Sequence, residues 1–229
     1  MHYLSVKEGI FIDRPNRFIA HVLIDNREEI VHVKNTGRCR ELLVKNAQVL
    51  LEQSTNPRRK TKYSLISVRK NNGRIINVDS QAPNVVVYEG IKDKKIIDIA
   101  DAEILKREVT YEGSRFDLYF ETDQNRGFIE VKGVTLENDG VAMFPDAPTK
   151  RGTKHIYEII NAVKNGYQGY IFFLIQMKKV KYFMPNREMD INFARALQKA
   201  WEAGVIILAY DCDVSTKEIT LGNKVEVVL

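Results

Sequence analysis

Ser114 to Lys132 reads SRFDLYFETDQNRGFIEVK, and its alternation decides how the second half of the chain folds. Phe116, Leu118 and Phe120 point one way while Arg115, Asp117, Tyr119 and Glu121 point the other, the period of two that marks a half-buried strand. A second arm answers it, with Ile129 and Val131 against Phe128, Glu130, Lys132 and Val134. Between the arms, Asp123 to Gly127 supply turn chemistry, because Asn and Gly tolerate the left-handed backbone of a tight reversal. A reversal centred near Gln124 and Asn125 sets Asp117 opposite Lys132 and one diagonal step from Glu130. Two carboxylates so placed hold a hard cation, Mg²⁺ or Mn²⁺, through oxygen, and such an ion acidifies a bound water and polarises a phosphoryl oxygen. Lys132 then stabilises charge on the phosphate or orients the water. The bare spacing also fits a surface hairpin with a cross-strand Asp–Lys pair.

The 229 residues allow one large domain or two small ones, and 44% hydrophobic with 28% charged residues indicates a soluble class. No apolar run reaches the roughly 20 residues of a membrane span, and no signal-peptide pattern opens the chain, so a cytoplasmic location without membrane partners is expected. Cys39 and Cys212 form neither a disulfide framework nor a zinc knuckle. The net charge of +5 is unevenly distributed: residues 1 to 82 carry 15 Lys and Arg against 8 Asp and Glu, whereas residues 83 to 229 carry 20 against 22. Such asymmetry points to a polyanion, DNA above all, meeting the first third of the chain.

That first third reads as strands at Phe18 to Ile24, Ile30 to Val33, Ala47 to Glu52, Tyr63 to Arg69 and Ile75 to Val78, without a long helix. Five short strands imply a small barrel of the oligonucleotide-binding (OB) kind. Two loops in it are basic: NTGRCRE carries Arg38 and Arg40, and STNPRRKTK carries Arg58, Arg59, Lys60 and Lys62. Loops of this type suit phosphates, whose binding is dominated by charge. A domain boundary falls near residue 82, at the APN turn. Beyond it, Lys94 to Val109 reads as a helix on the stripe Ile97, Ala100, Ile104 and Leu105. The hairpin follows, then helices at about Thr153 to Asn165 and Asp190 to Ala203 and strands at Tyr170 to Gln176 and Val205 to Ala209. The continuously apolar YIFFLI is expected to be a central strand covered on both faces. A last strand, Lys224 to Leu229, closes the sheet or joins a partner.

Phe144 to His155, FPDAPTKRGTKH, leads into a helix start, where free N–H groups favour anions, so Thr149, Lys150 and Arg151 are candidate phosphate ligands. Arg151 and His155 share a face if the helix begins early enough. Of the acids before the hairpin, Glu108 is the nearest candidate for a further metal carboxylate. An acid on a helix, Asp117 on a strand, then Glu130 and Lys132 on the next strand resembles the PD-(D/E)XK nuclease superfamily, whose core is α-β-β-β-α-β and whose members bind Mg²⁺ through the Asp and the Glu.

Five segments in order, VKNTGRCRELL, NPRRKTKY, SRFD, EVKGVTL and FPDAPTKRGTKH, resemble the sugar fermentation stimulation protein (SfsA) family over the whole chain. Cys39 stands where that pattern has Met. The resemblance implies an α+β protein of two domains: an OB-like barrel over residues 1–82 and a nuclease-like mixed-sheet α/β domain over residues 83–229. It further implies DNA binding linked to regulation of maltose and other sugar utilisation. Two functions follow as expectations: a regulatory DNA-binding protein of low sequence specificity, or a Mg²⁺-dependent nuclease using Asp117, Glu130 and Lys132 with Arg151 and His155 on the substrate. Carboxylates facing a phosphate backbone repel it unless a cation intervenes, which binding alone does not require.

Overall fold

A computed structural model describes residues 1–35 and 37–229. Its first half holds β1 (Val6–Asp13), β2 (Ile19–Ile24), β3 (Arg27–Val33), β4 (Gln48–Gln53), β5 (Tyr63–Arg69) and β6 (Ile75–Asn77). Strand β1 lies between β2 and β4, and β3 pairs antiparallel with β2 and parallel with β5, so the circuit β1-β2-β3-β5-β4 closes on itself. Closure of this kind removes sheet edges and defines the OB barrel. The expected five strands correspond to β2 through β6, and β1 escaped the pattern because Lys7, Glu8 and Gly9 interrupt its alternation. Gly9 is required there: a Cβ would come within 2.6 Å of Val22 on β2 and 2.9 Å of Leu51 on β4. Strand β6 extends the sheet outside the circuit.

The second half runs α1 (Ala82–Lys92), β7 (Ile104–Tyr111), β8 (Ser114–Glu121), β9 (Arg126–Val134), β10 (Leu136–Asn138), β11 (Val141–Phe144), α2 (Lys150–Lys164), β12 (Gln168–Ile175), β13 (Tyr182–Pro185), α3 (Ile191–Glu202), β14 (Ile206–Val214) and β15 (Ile219–Val227). These strands form a nine-stranded mixed sheet in the order β10-β11-β13-β15-β14-β12-β9-β8-β7. As expected of YIFFLI, β12 is central, parallel to β9 and to β14. Its Ile171, Phe173 and Ile175 share a core with Ile156 and Ile159 of α2 and Phe193 of α3, while Tyr170, Phe172 and Leu174 share another with Val86 and Val87 of α1. The terminal strand pairs with β14 and β13 inside this sheet.

The expected helix at Lys94 to Val109 is not formed. Its apolar stripe is not a buried face, since Ile97 is 85% exposed and Ile104 39%. The helix is instead α1, and the stretch after it becomes a short 3₁₀ turn at Ile97–Ile99 followed by β7. The deciding signal is Glu112-Gly113, both at positive φ (45° and 83°), a two-residue reversal that pairs Tyr111 with Ser114 and draws Ile104 to Tyr111 into a strand. With the short β10–β11 hairpin between β9 and α2 set aside, the elements α1-β7-β8-β9-α2-β12 run α-β-β-β-α-β.

Side chains fasten the two halves together. The main-chain N–H of Asn77 on β6 donates to the main-chain carbonyl of Gln176 at 2.9 Å, and the side-chain Gln176 Nε2 donates to Asn77 Oδ1 at 2.8 Å and to the Asp79 carbonyl at 3.0 Å. Glu137 of β10 receives Arg74 from the β5–β6 turn and Lys70 at 3.3 Å. Burial pushes the Glu137 carboxyl up, but the Gly140 N–H and the two cations outweigh it and hold it below the ordinary value. A depressed carboxylate contributes stability that is complete above its unfolded pKa, about 4.3, and is lost as pH falls through the lower folded value. Glu137→Gln is therefore expected to flatten the fall in Tm measured from about pH 6 into the acid range, and an unchanged slope is the contrary result. Both thiols are buried. Burial first, then Asp146 and Glu41, pushes Cys39 up to about 12, and burial raises Cys212 well above the ordinary thiol value. Neither is expected to react with a disulfide reagent at pH about 8 until denaturant is added, because the thiolate is the reactive form; rapid labelling of the folded protein would contradict this.

Candidate metal and nucleic-acid site

The β8–β9 reversal is set by Thr122, whose N–H donates to the Asn125 carbonyl at 2.7 Å and whose hydroxyl accepts the Asn125 N–H at 3.0 Å. This pairs Leu118 with Ile129 and Glu121 with Arg126. The register runs two residues from the expected one, so Asp117 stands across from Glu130 instead of Lys132. A shift of two keeps every side chain on its face, and the acids converge all the same. The ladder stops at Leu118–Ile129. Beyond it the Val131 N–H turns to Asp117 Oδ2 at 2.8 Å, and Asn84 of α1 donates Nδ2 to Asp117 Oδ1 at 2.7 Å. Face alternation breaks at the same point: Leu118 and Phe120 join the core on the α1 side, whereas Phe116 joins the opposite core and packs on Phe128 at 4.7 Å.

Glu130 is 2% exposed. One oxygen, Oε1, receives both Lys132 Nζ and His155 Nδ1. The other, Oε2, is buried without a partner among the described residues. A carboxylate left half-bonded in a low dielectric is costly unless a further group engages its second oxygen. Burial raises the Glu130 carboxyl, but His155 and Lys132 outweigh it and the net direction is down, toward the charged form. Asp117 goes the other way: burial and then the adjacent Glu130 raise it, against the opposing Val131 N–H, Lys132 and Asn84. Two desolvated acids, mutually repelling, one of them with an oxygen unpartnered among the described residues, could hold a divalent cation. Among the described residues no group of three or more His, Cys, Asp or Glu side chains is placed to hold a metal ion, so these two carboxylates are the candidate ligands.

Helix α2 begins at Lys150, early enough for Arg151 and His155 to share a face, and Arg151 Nε donates to His155 Nε2 at 3.3 Å. Guanidinium only donates, so Nε2 accepts and the imidazole proton lies on Nδ1, directed at Glu130. His155 thereby bridges Glu130 and Arg151. Thr149 is the N-cap, accepting the Gly152 N–H at 3.0 Å and donating its own N–H to Asp190 at 2.8 Å. Lys150 and Arg151 are exposed beside it. Glu108 is not on a helix: it lies on β7 between the pairs Arg107–Leu118 and Val109–Phe116, at φ 56°, and its carboxylate meets Arg115 at 3.5 Å. In the β7–β8 register it lies across from Asp117, with its carboxylate on Arg115.

Among the barrel residues, Arg58, Lys60 and Lys62 lie on the β4–β5 loop with Arg59, and Arg38 and Arg40 are exposed after β3. Sequence reading missed the β1–β2 loop. There Arg14 donates to the carbonyls of Arg17, Asn35, Gly37 and Arg38, tying this loop to the next, and the Arg17 guanidinium lies 4.7 Å above the ring of Phe18, which is 49% exposed. Its signal was present in DRPNRF, a Pro-Asn turn between two arginines and before an aromatic. Asn84 left no comparable trace. Asp146 accepts the Arg38 N–H at 3.2 Å and so docks the FPDAP loop on the barrel.

These elements define a two-domain α+β protein in which an OB barrel adjoins a mixed sheet bearing paired acids, a lysine and a basic helix start. Residues 12–78 match the family model described as the SfsA N-terminal OB domain, and residues 81–218 match the sugar fermentation stimulation protein RE domain. The chain belongs to the sugar fermentation stimulation protein family, which links it to sugar utilisation. It is 58% identical to the sugar fermentation stimulation protein homolog of Alkaliphilus oremlandii, over 99% of this chain and 98% of that one, and 51% identical to the Clostridium beijerinckii homolog over 100% of both. The solved structure of SfsA from Pyrococcus furiosus in complex with Ca²⁺ superposes with a TM-score of 0.91 at 28% identity, covering 100% of this chain and 98% of that one. No helix among the described residues is long and apolar enough to cross a membrane.

Proposed function

We propose that this protein binds nucleic acid through its barrel and cleaves phosphodiester bonds at Asp117 and Glu130 with Mg²⁺ or Mn²⁺. The observation that carries the reading is Glu130, buried, charged, anchored through one oxygen by Lys132 and His155, and with its second oxygen unclaimed beside Asp117. The order α-β-β-β-α-β around it is that of the PD-(D/E)XK nucleases. When bound, the cation supplies Lewis acidity toward a phosphoryl oxygen and lowers the pKa of a water. Asn84 and the Val131 N–H hold Asp117 in place for it, and His155 and Lys132 hold Glu130. The Lys132 ammonium is set to stabilise charge building on the phosphate. Arg151, braced through His155, reaches the phosphate backbone. The Ca²⁺ named for the Pyrococcus furiosus relative supports a divalent ion in this family.

A regulatory DNA-binding role without turnover is the second reading, favoured because Lys132 is already engaged by Glu130. Metal binding separates the accounts without any need for activity. Titration with Mn²⁺ is expected to show saturable binding and a rise in Tm that Asp117→Asn abolishes; heat and Tm unchanged by metal would remove the cleavage reading. Duplex binding is expected in either case to weaken as salt rises. Replacing Arg58, Lys60 and Lys62 by Ala should lower the salt slope by about 3, close to one for each phosphate no longer neutralised, and equally for unrelated sequences. An unaltered slope would take those loops out of the interface.

A further inference from the structure

Beside the acid site, a cleft of about 340 Å³ opens between the barrel and the sheet. Asn84 and Val131, which hold Asp117, form one end of it. No Lys or Arg among the described residues lines it, and its one charged residue, Asp146, is turned to the Arg38 N–H. A phosphate group has no counter-charge there. The walls are Pro83, Met143, Phe144 and Pro145, with the Phe144 ring fixed against Phe193 at 5.1 Å and Phe173 at 5.7 Å. The polar side chains along it are largely engaged: Asn35 with Gly37 and Val78, Ser80 with the Lys34 carbonyl, Asn84 with Asp117, and Thr149 with Gly152.

Gln176 is different. It is 1% exposed, and both hydrogens of Nε2 are committed, to Asn77 Oδ1 and to the Asp79 carbonyl. A carbonyl only accepts, so this fixes which end of the amide is nitrogen. Oε1 then has no donor among the described residues and lies over Gly133 of β9, where a Cβ would meet it at 2.5 Å. Both residues line the cleft. An acceptor of fixed direction, on a buried residue that lines the cleft among apolar walls, matches a nucleobase: stacking surface on its faces and an amino or imino N–H at its edge.

We propose that the cleft receives one unstacked nucleobase next to the phosphate held at Asp117 and Glu130, so that the substrate is nucleic acid with an unpaired or extruded base at that position. The proposal rests on the nucleic-acid reading above. A base already unpaired avoids the unstacking that a perfect duplex must undergo first, and selection for such sites follows.

The test is equilibrium binding in Ca²⁺, which needs no turnover, of two labelled 20-base-pair DNA duplexes differing by a single bulged adenine. Wild-type protein is expected to bind the bulged duplex at least about tenfold more tightly. Ala147→Trp, which fills the cleft from a loop, should erase that preference while leaving perfect-duplex affinity within about twofold; if this variant fails to fold, Met143→Trp serves the same comparison. Equal affinity of wild-type protein for the two duplexes, or a preference that survives in the folded filled variant, overturns the inference and leaves nucleic-acid binding standing. Failure to bind either duplex overturns both.

Discussion

Asp117→Asn is expected to raise the Tm measured in EDTA while removing at least about a hundredfold to a thousandfold of any metal-dependent cleavage, the range lost when a single electrostatic contributor to a phosphoryl or acyl transition state is deleted. The two effects share one cause. Asp117 is desolvated and faces Glu130, and both influences disfavour its charge. The amide removes that repulsion and is isosteric. Its oxygen still accepts the Val131 N–H, and Asn84 retains a bond by turning its own amide over. What disappears is the negative charge a cation needs, so Mn²⁺ should no longer raise the Tm. Stability gained where function is lost is the usual mark of a site kept strained for its task. A variant that unfolds more readily than the wild type in EDTA would make Asp117 a structural acid.

Phe173→Ala should cost about 3–5 kcal/mol, a fall in Tm on the order of 10 °C for a chain of this size. The ring is fully buried on β12, stacked on Phe183 at 4.1 Å and edge-on to Phe193 at 6.5 Å, between the sheet and α3. It also backs Phe144, the wall of the cleft. The cavity would open beneath the site, so cleft-dependent binding should weaken alongside stability. Loss of less than about 1 kcal/mol would mean that the neighbouring rings collapse into the space.

Much of this was legible in the chain because a period of two and a period of 3.6 both report burial. The hairpin, β12, α2 and α3 declared themselves through it, and the acids and lysine came with the hairpin. The exact pairing did not. Asn125 and Gly127 are good turn residues, but Thr122 sets the reversal by binding Asn125, and that competition is invisible in composition. Helix α1 is short, carries Pro83 at its start and the β-branched run Val85 to Val87, and so shows no clear helical period; its burial against β12 overrides the local preference. Residues 94 to 109 failed in the opposite sense, where a helical stripe carried no burial and Glu112-Gly113 dictated a hairpin. Within the site, Asn84 and Gln176 act through partners 33 and 99 residues away, Asp117 and Asn77. Only the fold brings such pairs together.

The most direct test is incubation of supercoiled plasmid with the intact protein in Mg²⁺ or Mn²⁺, alongside EDTA, Asp117→Asn and Lys132→Met. Nicked and linear plasmid from the wild type with metal, and from none of the other three, is the predicted result. Plasmid that stays supercoiled under every metal while the protein demonstrably binds it would contradict cleavage at Asp117 and Glu130.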